Sequence, residues 1–292
     1  DVENEFISDV FTNFRKYCEK NIEVRNLVDN NVKLSSNNLL NDDYDIPTLN
    51  QLGLDDFELD NRSAFTFSGG SESARERLEY YLWKTRKINY YKKTRNGLIG
   101  LDYSSKFSAW LSNGSISARE IYWEIKDYEK DILKNQSTYW LVFELIWRDY
   151  FKYISLKYGD KIFKIGGILE KSYSWSKDIK IFKEWVEGRT IEPFVNANMI
   201  ELNSTGWMSN RGRQNVASFL AKELKIDWRW GASYFESKLI DYDVHSNYGN
   251  WMYVSGVGND PRDRKFNIKF QAERYDPMSK YQNIWLQKRL FV

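Results

Sequence analysis

The chain has 292 residues, a formal net charge of +2, one cysteine and one histidine, so it can bury a sizeable core. That inventory excludes an internal disulfide, a Cys/His zinc cluster and a HExxH site, and any Ser-His-Asp triad would have to use His245. The near-balanced charge confines any nucleic-acid surface to a local patch, and no apolar run is long enough to span a membrane.

Residues 1–29 read as one amphipathic helix plus a tail, with Phe6, Val10, Phe11, Phe14 and Tyr17 at three- and four-residue steps. Residues 30–64 are rich in Asn, Asp and Ser, with acidic clusters at Asp42–Asp45 and Asp55–Asp60, and read as a polar, extended linker that wraps a partner or is disordered. From about residue 65 to 292 the pattern is helical. Ser71–Trp83 carries Ala74, Leu78, Tyr81 and Leu82 among charges, and Ile116–Ile132 opens with Ser117 and Glu120 as a capping box. Tyr139–Tyr158 is a long aromatic and aliphatic helix, Phe182–Val186 continues the pattern, and Asn215–Leu224 and Tyr234–Leu239 are amphipathic. No alternating strand pattern of useful length occurs, so the fold class is all-α: a leading helix, a linker, then one helical domain.

Aromatic residues make up 17% of the chain, which suits either a large core or a site that stacks on flat ligands; composition alone favours the core. Lys84, Arg86, Lys87, Lys92, Lys93 and Arg95 form a basic run among Trp83, Tyr90 and Tyr91, suited to phosphates but more often a solvated face. Neither a G-x-x-x-x-G-K-[ST] loop nor a G-x-G-x-x-G fingerprint is present, so any nucleotide cofactor must be held in another way.

Long stretches are more specific. YKKTRNGLIGLDYSSKFSAWLSNGSISAREIY (91–122), STYWLVFELIWRDYF (137–151), PFVNANMIELNSTGWMSNRGRQNVASFLAKEL (193–224), WRWGASYFESKLIDYDVHSNYGNW (228–251) and YVSGVGNDPRDRKFNI (253–268) resemble, in order, the FAD-binding helical domain of the cryptochrome DASH and DNA photolyase family. VFTNFRK (10–16) resembles the end of that family's interdomain connector. The α/β antenna domain that comes first in this family has no counterpart in the chain. The resemblance therefore implies no antenna chromophore here and, as a candidate partner, a separate antenna-domain polypeptide.

The resemblance also implies roles. Tyr91, Ser104, Ser105, Lys106, Phe107 and Ser108 match a stretch that binds the FAD pyrophosphate, where hydroxyls and backbone N–H groups at a helix start would replace a glycine-rich loop. Arg148, Trp207, Asn210 and Arg213 match flavin or phosphate contacts. Asp241 would pair with Arg213, Asp243 would lie near the flavin pyrimidine edge, and Asn247 would face flavin N5. The ordinary alternatives for the two aspartates are a buried ion pair and a helix cap. Trp251, Trp228 and Trp175 match a relay from flavin to surface, although any one of them alone reads as core. Glu144 and Trp147 match contacts to a flipped-out pyrimidine dimer; Gln214 and Tyr253 make that pocket more polar than in ordinary photolyases, and Arg211 would contact phosphate.

Asn210 and Gln214 stand where (6-4) photolyases carry histidines, which disfavours that reaction. Three residues depart from the pattern: Asn196 for Asp, His245 for Cys and Tyr248 for Trp. A histidine near a flavin is a candidate proton donor but more often a packing residue. The implied function is light-driven repair of cyclobutane pyrimidine dimers in single-stranded DNA by electron transfer from reduced FAD. The alternative is a blue-light photoreceptor or regulatory DNA-binding flavoprotein. No metal and no membrane partner is expected. The implied setting is soluble and intracellular, cytoplasmic if the source is bacterial.

Overall fold

The computed structural model describes residues 7–28, 35, 37, 45–55, 58–260 and 262–287; Phe6 and much of the linker expected over 30–64 lie outside that set. Thirteen helices follow one another among the described residues. They are α1 (Phe11–Asn21), α2 (Gly70–Glu79), α3 (Tyr91–Thr94), α4 (Ser108–Asn113), α5 (Ala118–Asp131), α6 (Gln136–Tyr158), α7 (Ile179–Val186), α8 (Pro193–Thr205), α9 (Asn210–Ser218), α10 (Trp228–Lys238), α11 (Val244–Ser255), α12 (Ile268–Tyr275) and α13 (Lys280–Leu286). Extended pairing among the described residues is limited to one parallel bridge, Ser176 to Ile226.

Local chemistry explains most of the helix ends. Ser117 caps α5 by accepting from the Glu120 N–H, but the Glu120 carboxylate reaches Arg75 at 2.8 Å instead of turning back to Ser117. The reciprocal capping box lies at the start of α6, between Asn135 and Thr138. Pro193 opens α8 at a position whose N–H needs no partner, and Asp243 caps α11 by accepting from the Ser246 N–H at 2.8 Å. Two helices end in wide π turns, Tyr80–Lys84 after α2 and Phe219–Glu223 after α9.

α6 is the spine, and it joins two cores. Leu141, in its first half, packs with Leu78, Tyr91, Trp110, Ile121 and Ile125 from α2–α5 and with Tyr81 from the π turn after α2. Tyr150, Phe151 and Ile154, in its second half, belong to the larger core that gathers α7–α13. α1 docks on this spine through Phe11 and Phe14, and the Tyr150 hydroxyl donates to the Asp9 carbonyl at 2.6 Å. Tyr17 on the same helix is only partly buried, so the apolar face is narrower than its periodicity suggests.

Two glycines permit approaches that shape the interior. Gly206 ends α8 at φ +66°, and a Cβ there would meet Ile240 Cγ2 at 2.7 Å. The close contact brings residues 207–213 beside 239–243. A Cβ on Gly212 would lie 2.0 Å from Asn198 Oδ1, so α9 can press against α8 only without a side chain there.

Candidate functional site

Three adjoining cavities have volumes of about 270, 590 and 110 Å³; the first is lined by residues of both cores, the other two by residues of the larger one. Asn210, in the first turn of α9, and Ser246, in the first turn of α11, line all three. The 270 Å³ cavity gathers every residue expected around a dinucleotide except Asn247: Tyr91, Ser104 to Ser108, Arg148, Trp207, Asn210, Arg213, Asp241 and Asp243.

Its wall is held from behind by Arg77, which sequence reading did not single out. The buried guanidinium donates to the carbonyls of Leu101, Ser104 and Ser105 at 3.2, 3.1 and 3.0 Å and to Asp102 at 3.2 Å. This clamp fixes a loop in which Lys106 sits at φ +66°, a left-handed conformation that costs a non-glycine residue about 1–3 kcal/mol. Lys106 is 2% exposed, and its Nζ has no hydrogen-bond partner. Its nearest companions are ring faces, Tyr103 at 3.4 Å and Trp207 at 4.9 Å. Burial pushes this ammonium well below the usual lysine range.

Arg213 crosses the floor. It donates to both Asp241 oxygens at 3.0 and 2.9 Å and to the Met208 carbonyl at 2.8 Å. Asp241 is thus in a buried ion pair and Asp243 is a helix cap, yet both line the cavities; the ordinary roles and the ligand-facing ones coincide. Beneath lies Glu201, fully buried, accepting from Tyr281 at 2.6 Å and pushed up to about 7 by burial.

The donor set suits a dinucleotide with an anionic linker. Hydroxyls at 104, 105 and 108, the Arg148 guanidinium and the unpartnered buried amine of Lys106 line one cavity and match the demands of a pyrophosphate. The 110 Å³ cavity beside it is walled by Asn247, Trp251, Phe235 and Leu239, a narrow setting for a flat ring system. The Asn247 Nδ2 donates to the Ala232 carbonyl at 2.9 Å, which fixes the amide's orientation.

The 590 Å³ cavity holds Glu144, Trp147, Arg211, Gln214 and Tyr253 together. Trp147 is stacked by Phe11 at 3.6 Å and 10° between planes, and meets the edge of Tyr253 at 5.9 Å. The residue that sets the Trp147 plane therefore comes from the leading helix. Glu144 pairs with Arg95 at 2.9 Å; burial raises its carboxyl above the ordinary range, and Arg95 opposes that shift. Arg211 donates to Asn96 at 2.8 Å and lies over Tyr275 at 4.6 Å; burial lowers it, and Arg95, Arg274 and Arg264 add to that. Tyr253 accepts from Arg264 at 3.0 Å.

The basic run does not form one face. Lys92 caps the Trp140 ring at 4.4 Å, Lys93 is exposed, and Arg95 turns inward between two cavities. The three tryptophans share the larger core. Trp251 contacts Phe235 at 5.1 Å and Trp185 at 6.3 Å, Trp228 donates to the Ile165 carbonyl at 3.0 Å, and the Ser176–Ile226 bridge holds Trp175 beside the start of α10.

Two departures sit apart from the cavities. Asn196 accepts from the Thr190 N–H and hydroxyl and donates to the Thr190 carbonyl, closing a turn before α8. His245 lines none of the three cavities, and its Nδ1 is buried without a partner. Among the described residues no cluster of three or more His, Cys, Asp or Glu could hold a metal ion, and no helix is long and apolar enough to cross a membrane.

The family described as the FAD binding domain of DNA photolyase matches residues 140–289. A cryptochrome DASH from Natronomonas pharaonis is 54% identical over 82% of the chain and 51% of its own length. A cryptochrome DASH from Xenopus laevis is 51% identical over 96% of the chain and 54% of its own length. The crystal structure of a Synechocystis cryptochrome aligns with a TM-score of 0.88 at 48% identity, covering 98% of this chain and 59% of that one. The chain thus spans about half the length of the relatives it matches.

Proposed function

The chain belongs to the photolyase/cryptochrome family, among the cryptochrome DASH proteins, and from that premise we propose that it repairs cyclobutane pyrimidine dimers in single-stranded DNA under light. The carrying observation is the 590 Å³ cavity, which shares Asn210 and Ser246 with the dinucleotide cavity and is lined together by Glu144, Trp147, Gln214 and Tyr253. A dimer extruded from the strand would sit within electron-transfer reach of a flavin there.

Bound reduced FAD would supply a light-activated one-electron donor. Ser104, Ser105, Ser108, Lys106 and Arg148 would hold its pyrophosphate, and Arg213 with Asp241 would orient its ring end. Asn247 and Asp243 would set the polarity along the ring. Trp147, backed by Phe11, would offer one flat face to the dimer, and Glu144 would hydrogen-bond a base edge once Arg95 lets it go. Arg211 would contact a flanking phosphate. Trp251, Trp228 and Trp175 would restore the reduced cofactor by passing electrons inward from the surface. Extrusion is cheapest from a single strand, where no pairing must be broken.

The test is to load the chain with FAD, reduce it, and illuminate it with a thymine-dimer oligonucleotide. Dimer should disappear only in the light, and Glu144→Gln should lower the yield with FAD still bound. Unchanged dimer under illumination, with FAD reduced and DNA bound, would overturn repair in favour of signalling.

A further inference from the structure

We propose that Tyr173 is a redox-active outlet of the tryptophan relay, giving an electron to Trp175 and its phenolic proton to Asp263. The inference rests on the reading above that Trp175 is oxidised through Trp228 and Trp251.

Tyr173 and Trp175 lie two residues apart on a non-helical stretch, with ring centroids 5.6 Å apart and planes at 73°. The Tyr173 hydroxyl donates to Asp263 Oδ2 at 3.0 Å and lies 3.5 Å from the Gly256 carbonyl. The other Asp263 oxygen is paired with the Lys222 ammonium, and that ammonium also lies 5.3 Å from the Tyr173 ring centroid. The pairing with Lys222 outweighs partial burial and holds Asp263 below the usual carboxylate range, so it is an ionised acceptor.

Trp175 is placed differently. Its Nε1 is buried and has no hydrogen-bond partner, so no base stands ready to take its proton. An indole that has lost an electron there stays a radical cation, which is a stronger oxidant than the deprotonated form. A phenol yields an electron to such an oxidant near neutral pH when its proton leaves at the same time, and Asp263 is positioned for that. Tyr173 is 37% exposed, so a reductant in solution can reach it.

The step balances. The Trp175 radical cation gains one electron and returns to neutral indole. The Tyr173 O–H bond breaks, the proton goes to the Asp263 carboxylate, and a neutral phenoxyl radical remains. A soluble thiol or ascorbate then returns one electron to Tyr173, and Asp263 returns the proton.

Time-resolved absorption and electron paramagnetic resonance on the FAD-loaded protein, excited with the flavin oxidised, test this. The unaltered chain should show a tryptophan radical followed by a tyrosyl radical. Tyr173→Phe should abolish the tyrosyl signal and lengthen the life of the tryptophan radical. Asp263→Asn should slow tyrosyl formation about 100-fold, the lower end of what a positioned base contributes. Retained FAD absorbance would show that each variant is folded. A tryptophan radical with no tyrosyl signal in the unaltered chain, or a tyrosyl signal unmoved by Tyr173→Phe, would overturn the proposal and leave the relay standing. No tryptophan radical in any variant would remove the relay and the proposal together.

Discussion

The dinucleotide cavity and the larger cavity beside it hold their polar groups in different states. On the first wall, Arg77 is tied to backbone carbonyls and Arg213 to Asp241, while the Lys106 amino group is left without a hydrogen-bond partner. In the second, most side chains are paired with each other: Arg211 with Asn96, Tyr253 with Arg264 and Arg264 with Asp260, while the Glu144–Arg95 pair borders both cavities and Arg211 Nε alone of that guanidinium stays buried without a partner. A wall that waits for a charge suits a resident ligand, because burial disfavours the protonated form of a lone lysine amine until an anion arrives to pair with it. A wall whose groups are mostly paired suits a visitor, because most contacts to the visitor replace internal ones and the empty site stays stable.

The largest expected break in this contrast comes from Arg213→Ala. It strands the Asp241 carboxylate, whose side chain is 2% exposed, and should cost about 3–5 kcal/mol of stability. The purified variant should lack flavin absorbance; a stable, flavin-replete variant would show that the floor of the first cavity is not built for a ligand. Next comes Phe11→Ala, a buried truncation expected to cost about 3 kcal/mol. Trp147 would lose its stacked partner, so affinity for a dimer oligonucleotide should fall while FAD content holds. Loss of FAD alone would mean that α1 serves the wrong cavity.

The smallest effect sharpens the contrast by its sign. Lys106→Met should lower FAD affinity about tenfold, or about 1.4 kcal/mol. In the FAD-free chain it should raise the melting temperature. Because burial holds the folded Lys106 below its unfolded range, the stability tied to this group is full above that range and is lost as pH falls through the lowered value. The advantage of the methionine variant should therefore widen as pH drops from the ordinary lysine range. A narrowing gap would show that Lys106 is not held neutral.

Much of this arrangement was legible in the sequence, and the misses have physical causes. α6 announces itself by periodicity, and its apolar faces are where the cores lie, whereas the helix expected over Asn215–Leu224 starts at Asn210 as α9 and passes into a π turn at Phe219. Both π turns overlap stretches that periodicity reads as ordinary helix, Ser71–Trp83 and Asn215–Leu224, because apolar spacing over so short a span does not separate a wide turn from a regular one. The box at Asn135 is not apparent in the sequence because Thr138 stands where Glu or Gln is usual. Nothing local to Phe11 or Trp147 announces that they stack, since the contact spans the linker and the whole first core. In the sequence Arg95 is one of six cations in a run; only the fold separates it, turned inward, from Lys84, Arg86, Lys87 and Lys93, which are exposed.

Asn210 and Ser246 stand at the meeting point of all three cavities, each in the first turn of its own helix. Two molecules occupying adjoining cavities must then share these walls and whatever adjustment each imposes on α9 and α11. Their affinities form one linked quantity: the factor by which the first alters binding of the second is the factor by which the second alters binding of the first. Flavin retention, measured with and without a strand present, thus reports on the strand's own affinity.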